Sequence, residues 1–255
     1  MDLKLQDRVA LVAAATSGIG LGIARALAAE GAIVSVAGRS PERLARAVAE
    51  LEEIAPGRVS GVALDVRDED AVRQWADGVA AEHGRLDIVV TNAGGPPPGQ
   101  ATEHSVAGYR DAVELTLLSA VSLVSAAVPH LRKGGYGRIL FVTSQSVKQP
   151  IPGMALSNTV RPGLLGYAKS LVHELSTDGI TVNVLAPGMT RTPELESWAE
   201  TLDGGLAGLA GDIPLGRVGE VDELGSLAAF LAGAQAGFVT GAVIPVDGGA
   251  AQGLS

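Results

Sequence analysis

The chain has 255 residues, of which 47% are hydrophobic and 18% charged, and this composition excludes an intrinsically disordered protein. Its 19 basic and 28 acidic residues leave a net charge of −9, which disfavours nucleic acids and anionic membrane surfaces as partners. Without cysteine, and with four scattered histidines, it has no disulfide or zinc-ligand pattern, so we predict no metal site.

The N-terminal residues lead directly into a first strand, without the basic and apolar regions of a signal peptide. The most apolar helical segment, Leu115–Leu131, contains four hydroxyl side chains and His130. It is interpreted as too short and too polar to cross a bilayer. We therefore expect a cytoplasmic protein without a membrane span.

Short apolar segments alternate along the chain with longer segments of helical periodicity. The predicted strands are Arg8–Ala15, Ile33–Ala37, Val59–Leu64, Asp87–Thr91, Arg138–Thr143, Thr181–Leu185 and Ala242–Val246. The predicted helices are Ile19–Glu30, Pro41–Glu53, Asp68–Glu82, Val106–Leu131, Ser157–Ser176 and Val221–Ala232. This order predicts a Rossmann-type α/β fold, a doubly wound seven-stranded parallel sheet with helices on both faces.

No linker divides the chain, so we expect a single domain over residues 1–255. The segment Pro187–Pro214 interrupts the alternation with glycines and spaced apolar residues. A long apolar excursion after a parallel strand is typical of a substrate lid, here at about residues 188–214. Packing of the same residues as a satellite of the core is the alternative.

A glycine-containing turn follows the first strand and opens the first helix, with Ala14, Thr16, Ser17, Gly18, Ile19 and Gly20 as its candidate cofactor-binding residues. Gly18 and Gly20 would let the backbone approach a pyrophosphate, and the helix N-terminus would supply N–H groups and a positive dipole. The position of this turn between strand and helix indicates a dinucleotide site.

The second strand ends at Gly38-Arg39-Ser40. An acidic residue here would bind the adenosine ribose of NAD, whereas an arginine accommodates the 2′-phosphate of NADP. Arg39 therefore favours NADP over NAD.

Further motifs follow the later strands in order: Asp65-Val66, Asn92-Ala93-Gly94, Thr143-Ser144, Pro187-Gly188 with Thr192, Ile213-Pro214-Leu215-Gly216-Arg217, Thr240-Gly241 and Val246-Asp247-Gly248-Gly249. Across the whole chain this series resembles the short-chain dehydrogenase/reductase family, especially its ketoacyl-carrier-protein reductase-like members. The resemblance implies oxidoreductase activity on a small-molecule substrate and a homotetramer.

The resemblance also implies roles for individual residues. Asp65, with Val66 beside it, would bind the adenine. Asn92, Ala93 and Gly94 would stabilise the middle of the sheet beside the cofactor. The loop carrying Pro187, Gly188 and Thr192 would close over the nicotinamide.

The chain departs from the family pattern at the cofactor turn and in the active site. The turn begins Ala13-Ala14 where the family usually has Thr-Gly, and a Cβ at Ala14 is costly if φ is positive. The family uses a Ser, a Tyr thirteen residues later and a Lys four residues after the Tyr. Counting from Ser144 places Ser157 at the Tyr position and Arg161 at the Lys position, and Thr116 aligns with the family's Asn.

These exchanges change the chemistry expected of the site. A phenol with a lowered pKa can protonate a developing alkoxide, whereas a serine hydroxyl is a much weaker acid. Arg161 can hydrogen-bond a ribose or stabilise an oxyanion, but it does not relay protons as Lys does. Tyr167 lies on another helix face and cannot substitute. Lys148, in the loop after the fifth strand, is a candidate source of charge.

Three functions remain open from the sequence. The first is an NADP-dependent oxidoreductase acting on a hydrophobic small molecule, in which Ser144, Ser157, Arg161 and Lys148 form the altered catalytic site. The second is a dinucleotide-binding protein without turnover. The third is a non-redox enzyme that uses Arg161 to polarise a carbonyl.

Overall fold

Seven parallel strands form the central sheet of the protein. The computed structural model describes residues 1–253, so the last two residues of the predicted domain lie outside the described part. The strands of the sheet are β1 (Val9–Val12), β2 (Ile33–Gly38), β3 (Val59–Ala63), β4 (Ile88–Thr91), β5 (Gly137–Val142), β6 (Ile180–Pro187) and β9 (Val243–Val246). Their spatial order is β3-β2-β1-β4-β5-β6-β9, which confirms the predicted doubly wound sheet.

Helices cover both faces of this sheet. They are α1 (Gly18–Ala29), α2 (Pro41–Ile54), α3 (Glu69–His83), α4 (Val106–Val113), α5 (Ser119–Gly134), α6 (Ala155–Val160), α7 (Pro162–Leu175), α8 (Pro193–Ala199), α9 (Gly205–Ala210) and α10 (Val221–Ala232). One apolar core packs α3, α5 and α7 against the sheet. A second core packs α1, α2 and α10 against the opposite face.

The chain reverses its winding direction between β1 and β4, which are neighbours in the sheet although β2 and β3 intervene in sequence. Loops leave the carboxyl ends of these two strands in opposite directions, so a crevice opens between them. All four residues of β1 are buried, as expected for a central parallel strand. In contrast, β3 is an edge strand and its last three residues are exposed. The prediction that its apolar residues are covered on both faces of the sheet was therefore wrong for this strand.

The α4–α5 segment is longer than predicted, running from Val106 to Gly134 through one π-helical turn at Glu114–Leu118. By length and composition alone this 29-residue helix could cross a membrane, so the prediction that the segment is too short for this was wrong. Leu123, Val124, Ala127 and Leu131 are buried in the core that also contains α3. A core helix packed in this way needs the same apolar composition as a membrane span.

The predicted helix Ser157–Ser176 is divided into α6 and α7 at Arg161. Pro162 follows and lacks the N–H that would bond to the carbonyl of Asn158, so the regular ladder is interrupted there. Arg161 therefore lies at the break, and its backbone N–H still bonds to the Ser157 carbonyl over 3.1 Å.

The segment after β6 contains short elements rather than a structureless loop. Thr190–Arg191 (β7) pairs with Gly219–Glu220 (β8), and α8 and α9 lie between them. Ile213 is buried, whereas Trp198 is 44% exposed. Only part of this segment is therefore packed as a satellite of the core.

Candidate active site

A groove with a volume of about 390 Å³ opens at the carboxyl ends of β1, β2 and β4. The predicted cofactor-binding residues that line it are Ala14, Thr16, Ser17, Gly18, Ile19, Arg39, Asp65, Val66, Asn92, Ala93, Gly94, Arg161 and Thr192. Gly20, Pro187 and Gly188 do not line it. The sheet thus brings together most of the residues that the motifs single out.

Gly20 supports the turn from behind rather than facing the groove. A Cβ at this position would lie 2.5 Å from the carbonyl oxygen of Ala14 and 2.8 Å from Nδ2 of Asn92, so only glycine fits. Asn92 donates a hydrogen bond from Nδ2 to the same Ala14 carbonyl over 3.2 Å. The turn after β1 and the end of β4 are therefore held together across the crevice.

Ala14 has a φ of +47°, in the left-handed region that glycine adopts without strain. The sequence predicts that the Cβ of Ala14 strains the turn only if φ is positive. Since φ is positive, the turn is strained. Gly18 also has a positive φ, of +55°, but carries no Cβ to strain it.

The outer end of the groove carries positive charge. Arg39 follows β2, and Arg43 lies one turn into α2 on the same lining. The Ser40 side chain caps α2 by accepting a hydrogen bond from the Arg43 N–H. Asp65 accepts three side-chain hydrogen bonds from Arg67, whose guanidinium holds the pKa of that carboxyl below its usual range.

Three serine side chains meet beyond the end of β5. Ser144 accepts a hydrogen bond from the Ser146 N–H at 3.1 Å, and the Ser146 and Ser157 hydroxyls are 3.1 Å apart. Ser146 is 3% exposed and Ser157 is 7% exposed. The Ser157 hydroxyl is thus occupied by a neighbouring serine, and Ser146 is a partner that the thirteen-residue spacing does not reveal.

Arg161 lies between the groove and a small cavity of about 10 Å³, and it lines both. Its Nη1 donates to the Thr143 carbonyl, while its buried Nε has no hydrogen-bond partner. Within residues 1–253 it makes no ion pair, and burial lowers the pKa of its guanidinium to about 10. The Oγ1 of Thr116, in the π turn, is also buried without a partner and lines the same cavity.

The loop from Ser144 to Met154 is held at two places. The side chain of Asn158 bonds both the N–H and the carbonyl of Ile151, over 3.0 and 2.8 Å. Gly99, in the loop after β4, forms a bridge with Met154. Lys148 lies within this loop, half-buried, and makes no ion pair in the described part of the chain.

The segment after β6 packs onto the cofactor turn through Thr192. A Cβ at Gly18 would lie 3.1 Å from Cγ2 of Thr192, whose hydroxyl caps α8 by accepting from the Leu195 N–H. Two residues later, an oxygen of Glu194 lies 3.4 Å from the Ser17 hydroxyl and lines the groove. Nothing in the sequence pattern distinguishes Glu194 from the other acidic residues of α8, and it was not predicted.

Arg43 was also missed, although its signal was present. It lies in the first turn of α2, which begins at Pro41 shortly after Arg39, and this short separation brings both arginines to the same groove.

Comparison with known proteins gives the family. The family described as Enoyl-(Acyl carrier protein) reductase matches residues 13–251. The chain is 33% identical over 247 residues to the 3-oxoacyl-(acyl-carrier-protein) reductase FabG of Escherichia coli (strain K12), covering 97% of this chain and 98% of that protein. It is 32% identical to a 3alpha-hydroxysteroid dehydrogenase of Mediterraneibacter gnavus, covering 98% of this chain and 99% of that one.

Among solved structures, the L-sorbose reductase of Gluconobacter frateurii, crystallised with NADPH and L-sorbose, is similar over the full length of both chains. The TM-score is 0.95 and the sequence identity 32%. Sequence and structure agree on the same relationship: the chain belongs to the short-chain dehydrogenase/reductase family, as an oxidoreductase of the ketoacyl-carrier-protein reductase-like type.

Proposed function

We propose that this protein is an NADP-dependent oxidoreductase that acts on a carbonyl or hydroxyl group of a hydrophobic small molecule through an altered active site. The observation that carries the proposal is Arg161, a cation without a carboxylate partner in the described chain, located where the groove ends. An uncompensated buried charge is costly to maintain, and such groups are concentrated at functional sites.

The residues of the groove fit a dinucleotide. Gly38 lines the groove, and a Cβ there would lie 2.3 Å from Cγ2 of Thr16, so the end of β2 packs closely against the turn that would hold the cofactor. The N-terminus of α1 opens beside Ser17 and Gly18 and offers N–H groups to a pyrophosphate. Asp65 and Val66 would contact the adenine, and Thr192 the nicotinamide end.

NADP is the preferred cofactor in this proposal because Arg39 and Arg43 line the outer end of the groove. Two guanidinium groups can pair with a 2′-phosphate, and Asp65, the acidic side chain on this end of the groove, is bonded by Arg67. NADPH should therefore bind about tenfold more tightly than NADH, equivalent to about 1.4 kcal/mol.

When bound, the reduced nicotinamide supplies the hydride that is added to a carbonyl carbon. The protein must then stabilise the oxygen and deliver a proton to it. Arg161 would face the developing negative charge, and the Ser144 hydroxyl, whose oxygen accepts from the Ser146 N–H, keeps its own proton free to donate to the same oxygen. Ser157 would position this group through Ser146.

Lys148 is the proposed source of the proton, because serine is too weak an acid and Arg161 retains its proton at neutral pH. It stands four residues after Ser144 on the loop that Asn158 and Gly99 hold in place. An ammonium group in that loop can also bind an anionic part of the substrate.

The preference for a hydrophobic substrate is supported by the segment 188–214, proposed as a lid. Trp198 and Leu202 are 44% and 36% exposed there. The apolar sequence Gly95-Pro96-Pro97-Pro98-Gly99 follows β4, and Gly95 lines the groove. We also propose that the protein is cytoplasmic and assembles as a homotetramer, as its resemblance to the family implies.

The test begins with cofactor binding, followed through Trp198 fluorescence. Wild-type protein should prefer NADPH, and Arg39→Ala should lose that preference, whereas Arg73→Ala, an exposed arginine on α3, should keep it. Equal affinities for NADPH and NADH in the wild type would contradict the cofactor assignment.

Turnover is then screened with hydrophobic ketones and alcohols. Ser144→Ala and Arg161→Ala should each lower kcat by about 10² to 10³, because both contacts strengthen in the transition state. If tight NADPH binding is accompanied by no turnover with any carbonyl compound, the dinucleotide-binding protein without catalysis is the better assignment.

A further inference from the structure

An acidic side chain lies at the point of the groove where an anion is expected. An oxygen of Glu194 is 3.4 Å from the Ser17 hydroxyl, at the N-terminus of α1. The other carboxylate oxygen lies 3.7 Å from the position that a Cβ on Gly18 would take. Glu194 is therefore directly above the turn whose backbone N–H groups are free to bind a negative charge.

The position of Glu194 is set by its neighbours in sequence. Thr192 packs on Gly18 and caps α8, and Pro193 fixes the first turn of that helix. Glu194 comes next, so the contact that docks α8 on the cofactor turn also brings the carboxylate into the groove.

A second cavity, of about 490 Å³, adjoins this point between α1, α2 and α8. Glu194, Ser17 and Arg43 line it together with Arg46 and Glu50. Arg25 lies 3.5 Å from Glu50, which leaves Arg43 and Arg46 without a carboxylate partner in the described chain. A carboxylate that leaves the groove on this side would thus move toward two positive charges.

We infer that Glu194 lowers the affinity for the cofactor, because its carboxylate occupies the place of the dinucleotide pyrophosphate and must move toward Arg46, outside the groove, when the cofactor binds. This inference rests on the proposed function.

The charge can be removed without changing the shape of the side chain. Glu194→Gln should tighten NADPH and NADH by the same factor, about fivefold at low ionic strength, and leave the ratio of the two affinities unchanged. Because Glu194 is exposed, the gain should shrink to less than about twofold at 0.5 M salt, where the Debye length is only a few ångströms.

Two controls separate this effect from a general change of charge. The fragment 2′-AMP keeps the adenosine and the 2′-phosphate but lacks the pyrophosphate, so its affinity should be the same in both proteins. Glu196→Gln, on the same helix and 3.9 Å from Arg191, should bind NADPH as the wild type does. All affinities are read from the fluorescence of Trp198, one turn after Glu194.

Unchanged or weaker NADPH binding by Glu194→Gln would overturn the inference while leaving the proposed function intact. The inference is also overturned if Glu194→Gln tightens the binding of 2′-AMP as much as that of NADPH, or if Glu196→Gln tightens NADPH binding as much as Glu194→Gln does. If neither the wild type nor Glu194→Gln binds a dinucleotide, the proposed function itself is refuted, and this inference with it.

Discussion

Removing the Arg161 charge should stabilise the protein and inactivate it. The guanidinium is held in a site where desolvation lowers its pKa to about 10, with no neighbouring carboxylate to compensate. At 1.36 kcal/mol per pKa unit, the charged form is disfavoured by about 3 kcal/mol relative to the unfolded chain. Because Arg161 keeps part of its surface open to the groove, we discount this cost to between about 1 and 3 kcal/mol.

The substitution Arg161→Met keeps the length and helix propensity of the side chain and removes its charge. It loses one hydrogen bond to the Thr143 carbonyl, worth about 1 kcal/mol, but that carbonyl can be solvated from the groove. The net expectation at pH 7 is a rise of about 0.5 to 2 kcal/mol in the free energy of unfolding.

The pH dependence gives an independent check. The folded-state pKa is lower than the unfolded one, so the unfolded chain binds the proton more tightly and the cost is fully present below pH 10. The advantage of Arg161→Met should therefore be constant between pH 7 and 9 and decrease above about pH 10.

Urea unfolding of the wild type, Arg161→Met and Arg110→Met measures these differences. Arg110 is an exposed arginine of α4, so its replacement should change the free energy of unfolding by less than about 0.5 kcal/mol. The reasoning is refuted if Arg161→Met is destabilised by more than about 1 kcal/mol, since this would mean that the charge is compensated in the folded protein. Retention of wild-type turnover by the same variant would remove Arg161 from the catalytic site.

Three further predictions concern other parts of the structure. Ala14→Gly should raise the free energy of unfolding by about 0.5 kcal/mol, because relief of the strain at positive φ exceeds the cost of a more flexible unfolded chain. The control Ala15→Gly should lower the free energy of unfolding. If urea unfolding shows that both variants are destabilised equally, Ala14 is not strained. Arg217 lowers the pKa of Glu223 to about 2, so this pair stabilises the folded protein above about pH 4.5, and the stabilisation is lost as the pH falls toward 2. Glu223→Gln should therefore reduce the decrease of the free energy of unfolding over this pH range. The reduction should be less than about 1 kcal/mol because the pair is exposed. Phe238 is fully exposed in the described chain, and the proposed homotetramer would bury it; Phe238→Asp should reduce the mass measured by light scattering, and a monomeric wild type at micromolar concentration would contradict the assembly.

The sequence predicts the sheet well because each strand is a short apolar segment followed by a motif with a defined local structure. Gly18 and Gly20 could be assigned to the cofactor turn because a turn between strand and helix leaves few alternatives, whereas Asn92 was assigned through the family resemblance. The break at Pro162 was missed because helical periodicity continues on both sides of it. The chemical cause was nevertheless visible, since proline lacks the N–H that a continuous helix requires.

Contacts between segments distant in sequence were not predictable from spacing alone. The pairing of Ser146 with Ser157 joins the loop after β5 to α6 across eleven residues, and no periodicity encodes it. Glu194 reaches Ser17 from 177 residues away, through the docking of Thr192 on Gly18. Local rules assign elements and turns, whereas these contacts depend on how the loops pack over the completed sheet.

The bridge between Gly99 and Met154 has a consequence for how molecules enter and leave the groove. It joins the loop after β4 to the loop after β5, and the two bonds from Asn158 to Ile151 fasten the second loop to α6. One wall of the entrance is therefore held by a backbone bridge and by two side-chain hydrogen bonds to α6. The opposite wall is formed by the short helix α8, which is docked on the turn through Thr192, so we expect this helix rather than the loop after β5 to move when molecules enter or leave the groove.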